Sequence, residues 1–164
     1  MKMICATGHR PNRIFGYDLS DERWINLKNQ MKRILVEEQA TDAMSGMALG
    51  TDTIFALAVL ELKNEGYPIN LHCAVPCKNF SAKWVPESKK MFEDILSKAD
   101  EVIYVSENEY DEFCLSARNY YMIDHSDGCI AVWDGKGYGG TYETIMYAKY
   151  KKTPIAMIKV VQEV

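Results

Sequence analysis

Met44-Ser45-Gly46-Met47-Ala48-Leu49-Gly50-Thr51-Asp52 is the stretch on which the reading of this chain turns. It lies between a short apolar run, predicted to be a strand, and the run from Ile54 to Leu62, which is apolar nearly all round and predicts a buried helix. Gly46 and Gly50, beside small Ser45, Ala48 and Thr51, let the backbone pass where a larger side chain would block it. The helix that follows offers free N–H groups and the positive end of its dipole at the same place. Such a turn is a ready anion site with phosphate as the common occupant, although a tight turn without any ligand looks the same in sequence.

Outward from that turn, apolar runs alternate with helical patterns from end to end. Met3–Ala6 reads as a first strand entering the loop Thr7-Gly8-His9-Arg10-Pro11. From Ser20, read as an N-cap, apolar residues recur at Trp24, Leu27, Met31, Ile34 and Leu35 as one helical stripe. Asp42–Met44, Ile69–Val75, Val102–Val105, Gly128–Trp133 and Pro154–Ile158 read as further strands. Between them lie helices opened near Pro86, over Ser116–Ile123, and from Gly139-Gly140-Thr141 to about Tyr150. The strands are continuous apolar runs, which belong to a parallel sheet covered on both faces. The expected fold is therefore α/β, a Rossmann-like doubly wound and mostly parallel sheet of about six strands. Ligands of such sheets sit beyond the carboxyl ends of the strands. No linker or repeat interrupts the chain, so the expectation is a single domain with one crevice.

Composition narrows the partners. Across 164 residues the formal net charge is −4, with 48% hydrophobic and 26% charged residues. Without a basic stripe a nucleic-acid polymer is not the expected partner, whereas a small anion needs only local positive potential. The Cys73/Cys77 spacing has no second Cys or His pair to complete a zinc site, so no metal is expected. Five scattered cysteines read as reduced, mostly buried thiols of a cytoplasmic protein. No apolar run approaches membrane-spanning length and the N-terminus does not resemble a signal peptide, so no membrane is expected.

The residues that could carry chemistry gather at the strand ends. A second cluster, Gly135-Lys136-Gly137-Tyr138-Gly139-Gly140-Thr141-Tyr142-Glu143, also follows a strand and opens a helix on the same sheet edge. Neither turn is read as a dinucleotide fingerprint or a P-loop, and no cofactor is expected. Arg10 at the end of the first strand could clamp a phosphate bidentately; His9 and, on a later helix, Arg118 are companions. Asp52 and Glu143 could hold a ribose hydroxyl or act as a general base, or simply complement a helix dipole. Trp84, Trp133 and Tyr138 could stack on a base, with Tyr138 favoured by its place in the glycine loop. Asp124, His125 and Asp127 precede a strand and read as turn caps rather than metal ligands.

An ordered set of motifs now resembles a known group. Thr7-Gly8-His9-Arg10-Pro11, Ser45 to Asp52, Pro76 with Trp84, Arg118-Asn119 with Met122 and Asp124, and Ala131-Val132-Trp133-Asp134-Gly135 with Gly139-Gly140-Thr141 resemble the YpsA-like branch of the SLOG superfamily. The resemblance implies a Rossmann-like fold, bacterial or phage origin, frequent homo-oligomers (dimers or higher) and a nucleotide-derived ligand at the two glycine turns. It extends the expected ligand site to Thr7, Gly8, His9, Arg10, Ser45, Gly46, Met47, Ala48, Gly50, Thr51, Asp52, Arg118, Asp134, Tyr138, Gly139, Gly140, Thr141 and Glu143. One related branch, the LOG enzymes, cleaves the N-glycosidic bond of nucleoside monophosphates, and other branches sense nucleotide signals, some in anti-phage immunity. The LOG motif puts two residues between threonine and the catalytic glutamate, where Thr141-Tyr142-Glu143 leaves one. On a helix that shift turns a side chain by roughly 100°. Phe80 and Cys77 also depart from the polar and aromatic residues usual in relatives.

The first expectation is thus a binding protein for a nucleotide or nucleotide-derived molecule. The alternative is a phosphoribohydrolase-like enzyme using Glu143 or Asp52, and a third reading is an interaction module with a vestigial crevice.

Overall fold

The structure is a computed structural model in which residues 1–161 are described. Six strands form one sheet: β1 (Met3–Gly8), β2 (Asp42–Ser45), β3 (Asn70–Val75), β4 (Glu101–Tyr104), β5 (Gly128–Trp133) and β6 (Ile155–Lys159). Five α-helices connect them: α1 (Glu22–Glu37), α2 (Thr51–Asn64), α3 (Pro86–Lys98), α4 (Cys114–Asp124) and α5 (Gly140–Tyr150). Every strand pair is parallel and the order is β4-β3-β2-β1-β5-β6. This is the α/β Rossmann-like fold that the apolar runs predict. The chain winds outward from β1 through β4, then α4 carries it back to β5 on the other side. The switch in strand order therefore falls between β1 and β5, where crevices form in doubly wound sheets.

Alternation along the strands fills two cores. Ile4 and Ala6 of β1 face one layer with Ala43, Leu71, Val75, Ile130 and Val132, packed against Trp24, Phe55 and Ile95 of α1, α2 and α3. Met3 and Cys5 face the other, with Met44, Ala74 and Cys129 against Met122 and Ile123 of α4 and Ala148 of α5. All five cysteines are buried and free. No helix among the described residues is long and apolar enough to cross a membrane.

Boundaries differ from the predicted ones where hydrogen bonding outweighs hydropathy. Asp21, not Ser20, caps α1 by accepting from the Arg23 N–H, because Ser20 is engaged with the Asp18 carboxylate. Strand β1 runs on to Gly8, since its pairing with β5 continues through Thr7 and Gly8. Helix α2 begins three residues before Ile54, with polar Thr51, Asp52 and Thr53 buried in its first turn.

Candidate functional site

A crevice of about 350 Å³ opens at the carboxyl ends of β1 and β5. Thr7, Gly8, His9 and Arg10 continue β1 along one wall; Ala48 and Asp52 come from the first glycine turn; Gly140 and Thr141 open α5. Leu115, Arg118 and Asn119 close it from α4, and Asn12 and Arg13 from the short 3-10 turn after Arg10. The local charge is positive in an acidic chain, because three arginines line a space that holds one carboxylate.

Its floor is a buried pair. Arg118 is 4% exposed and donates to the Gly46 carbonyl and, at 2.9 Å, to Asn119 Oδ1. A Cβ at Gly46 would stand 2.6 Å from the guanidinium, so only glycine lets Arg118 seat there. The Asp52 carboxylate lies 3.9 Å from Arg118 and accepts the Ala48 N–H at 3.2 Å. Burial raises the Asp52 carboxyl above its ordinary range, against the opposing charge of Arg118, the Ala48 N–H and the charge of Arg10.

The first glycine turn proves largely self-satisfied. Met47 N–H goes to Ser45 Oγ, Ala48 N–H to Asp52, and both the N–H and the hydroxyl of Thr51 to the His9 carbonyl. Ser45 Oγ donates in turn to the Asp52 carbonyl. A phosphate here would compete with a carboxylate already in place.

The second turn is built differently. Like Gly50 before α2, Gly139 has a positive φ (97°) and its helix has no side-chain cap, but here no carboxylate folds back from the helix onto the turn among the described residues. Arg13 ties this loop to the 3-10 turn: it donates to both Asp134 oxygens at 2.7 and 3.2 Å and to the Tyr138 carbonyl, with its guanidinium 4.4 Å from the Tyr138 ring centre. Burial would raise the Asp134 carboxyl, but hydrogen bonds from Arg13 and the Lys136 N–H outweigh it and hold it below the usual range. His9 accepts the Asp134 N–H at Nε2, 3.1 Å away. Burial lowers the His9 pKa despite the Asp134 charge, and Nε2 also lies 3.3 Å from the Asp134 carboxylate, a contact separate from this backbone bond. The loop from Gly135 to Gly140 does have the G-x-G-x-x-G spacing. It differs from the dinucleotide fingerprint, because the position about 20 residues further on is Val160 and not an acid.

Of the residues expected at the site, Thr7, Gly8, His9, Arg10, Ala48, Asp52, Arg118, Gly140 and Thr141 come together around the crevice. Ser45, Gly46, Met47, Gly50 and Thr51 lie beneath it as its buried support, and Asp134 anchors Arg13. Tyr138 and Glu143 are exposed and outside the lining, Tyr138 with Arg13 on its ring. Trp84 and Trp133 are elsewhere too: Trp84 packs edge-on against Phe92, and Trp133 stacks on Tyr142. Asp127 holds the Met3 N–H and Asp124 the Tyr147 hydroxyl, each a structural bond. Asn12 and Leu115 were not singled out in the sequence; nothing in a loop asparagine or a helical leucine distinguishes them.

A crevice at the switch point of a parallel sheet, fed by glycine-opened helices and arginines, defines a Rossmann-like ligand-binding protein. The family model described as the YspA SLOG family (YpsA) matches residues 4–162, and the chain belongs to that family. Membership places it among folds that bind nucleotide-related ligands. The SPbeta prophage-derived protein YoqJ of Bacillus subtilis is 32% identical over 130 residues, covering 73% of this chain and 75% of that one. The UPF0398 protein lwe1908 of Listeria welshimeri is 30% identical over 138 residues, covering 82% and 76%. The X-ray structure of DNA processing protein A (DprA) from Streptococcus pneumoniae matches with a TM-score of 0.67 at 16% identity, over 98% of this chain and 51% of that one. That likeness is one of fold, and the chain spans about half the length of that protein.

Proposed function

We propose that the crevice captures a nucleotide or nucleotide-derived small molecule, for sensing or sequestration rather than turnover. The observation that carries this reading is Arg10. Its side chain pairs with no carboxylate among the described residues, yet it lines the same space as buried Arg118 and the uncapped start of α5. An arginine left without a partner beside helix N–H groups suits a phosphate. In this reading the phosphate lies at Gly140–Thr141 between Arg10 and the helix start, and the sugar faces Asp52. The small crevice favours a small molecule over a nucleic-acid polymer. Free buried thiols suit the cytoplasm, and a prophage-derived relative makes a contest between phage and host one setting for such capture. Assembly as a homodimer or larger belongs to the same reading and is checked by light scattering.

The test is a thermal-shift screen against mono-, di-, cyclic and ADP-ribose-type nucleotides, each mixture then separated on a column. A ligand at a hundred times its Kd adds roughly 2.7 kcal/mol, a visible shift. A shift with the ligand recovered intact supports capture, and no shift with any nucleotide overturns it.

A phosphoribohydrolase reading keeps one support: Asp52 lines the crevice with a raised carboxyl pKa, as a general acid requires. Release of free base, abolished in Asp52→Asn, would establish it.

A further inference from the structure

Arg10 lines not one cavity but two. Beyond it lies a second hollow of about 390 Å³, walled by Asn79, Phe80, Lys83, Trp84 and Tyr110, a size typical of small-molecule sites. Two loops make it, and they are bonded to each other: Asn79 Oδ1 accepts the Tyr110 N–H at 2.8 Å, and the Lys78 N–H reaches the Asn108 carbonyl. Its aromatic wall is held rigid from behind. Phe80 meets Trp84 edge-on at 5.1 Å and Trp84 meets Phe92 at 5.3 Å, while the Arg118 guanidinium of the first crevice lies 6.0 Å from the Phe80 ring centre. Tyr110, in contrast, is 57% exposed where it lines the hollow.

From this arrangement we infer that the protein takes a two-lobed ligand: a nucleotide whose phosphate bridge carries a second planar ring, with the bridge at Arg10 and the second ring against Trp84, Phe80 and Tyr110. The inference rests on the phosphate-binding reading of the first crevice and extends it. Three features argue for it together. A cation stands where the two hollows meet, where a bridging phosphate would have to pass. Aromatic faces are what a heteroaromatic ring stacks on, without regard to which base it is. Lys83 and the Asn79 amide supply a second charge and hydrogen-bonding groups at the rim. A mononucleotide in the first crevice would leave all of these idle.

The experiment compares AMP with diadenosine diphosphate by calorimetric titration of the whole protein, with tryptophan fluorescence recorded alongside. Diadenosine diphosphate should bind at least about tenfold more tightly than AMP, the order expected of one stacked base, and should quench Trp84. Tyr110→Ala and Lys83→Ala change exposed side chains, so the melting temperature should hold. Both should reduce the affinity for diadenosine diphosphate and leave that for AMP unchanged. Equal affinities of the two ligands for the native protein, or equal losses for both in Tyr110→Ala, would overturn the second lobe while leaving the crevice reading intact. If neither ligand binds, the two-lobed ligand is overturned, and the crevice reading stands or falls separately by the thermal-shift screen.

Discussion

The two glycine turns carry the same sequence signature and do opposite things. Each follows a strand, each has glycine at a positive φ before its helix (Gly50 at 86°, Gly139 at 97°), and each has an acid in the helix's first turn. In the first, that acid is Asp52, which folds back onto the Ala48 N–H and is buried beside Arg118. In the second, it is Glu143, which points away and is exposed. The first turn thus closes on itself and supports the crevice from below. Neither helix has a side-chain cap, but the second turn carries no carboxylate folded back like Asp52, and the start of α5 lines the crevice. A glycine turn is open to an anion only when nothing in the chain already supplies one.

The contrast is broken or upheld most strongly by alanine at the two positive-φ glycines. At Gly50 a Cβ would lie 2.8 Å from the His9 carbonyl and 2.9 Å from Pro11, both backbone-bound groups that cannot step aside. At Gly139 the near neighbour is the end of the Arg13 side chain, which can move. With ψ at −123° for Gly50 and 175° for Gly139, both lie in positive-φ backbone that costs another residue about 1 to 3 kcal/mol, and the fixed clash brings Gly50→Ala to roughly 3 kcal/mol or more. Urea midpoints of the two variants measure this. Equal losses would mean that the second turn is as much a structural support as the first.

Next in size is the loss of binding in Arg10→Ala. Removing a charge-assisted bond to phosphate weakens binding by about 1.5 to 3 kcal/mol, or roughly 10- to 100-fold. Because the side chain has no ion-pair partner among the described residues, the urea midpoint should stay within about 0.5 kcal/mol of native. Titration with the nucleotide found in the thermal screen is the measurement. A large stability loss instead would place Arg10 in the support rather than in the site.

Asp134→Asn sharpens the comparison from the side of the second turn, which has no buried helix acid and relies on Arg13 instead. The native carboxyl has its pKa below the ordinary value, so its contribution is complete above an unfolded pKa near about 3.9 and is lost as pH falls through the folded value. An amide does not titrate. The gap in stability between native and variant should therefore be about 1 to 2 kcal/mol near neutrality and shrink below roughly pH 4. Urea unfolding at the two pH values decides it. A gap that persists in acid would mean that the bond to Arg13 is not what Asp134 contributes.

How much of this was legible follows from where the information sits. The sheet was legible because its strands are apolar runs between glycines and prolines, and Gly128–Trp133 emerges with the predicted bounds. The start of α2 was not, because Thr51, Asp52 and Thr53 are buried by virtue of bonds to His9 and Ala48, which hydropathy cannot register. Arg10, Asp52, Arg118 and Thr141 were found because each stands at a strand end or in a motif. Arg13 was not found, since its partner Asp134 lies 121 residues away and no spacing rule reaches that far. Tyr138 shows a further limit: the glycine loop shows an exposed ring, but not that the fold lays the Arg13 guanidinium over it.

The smallest effect belongs to Glu143, and it is informative because it is small. The residue stands one position after Tyr142 on a helix whose buried side carries Thr141, Thr144, Ile145 and Ala148. A catalytic carboxylate would have to reach the crevice that Gly140 and Thr141 line; Glu143 stands roughly 200° round the helix from Thr141 and is exposed outside that lining. Glu143→Gln keeps the size of the side chain and removes its charge from the first turn of α5, where a helix dipole interaction is worth about 0.3 to 1 kcal/mol. The variant should therefore lose no more than that in urea and should bind the same nucleotide with unchanged affinity. Loss of binding or of turnover in Glu143→Gln would mean that α5 rotates or unwinds when ligand arrives, and the division between a closed first turn and an open second one would have to be redrawn around a moving helix.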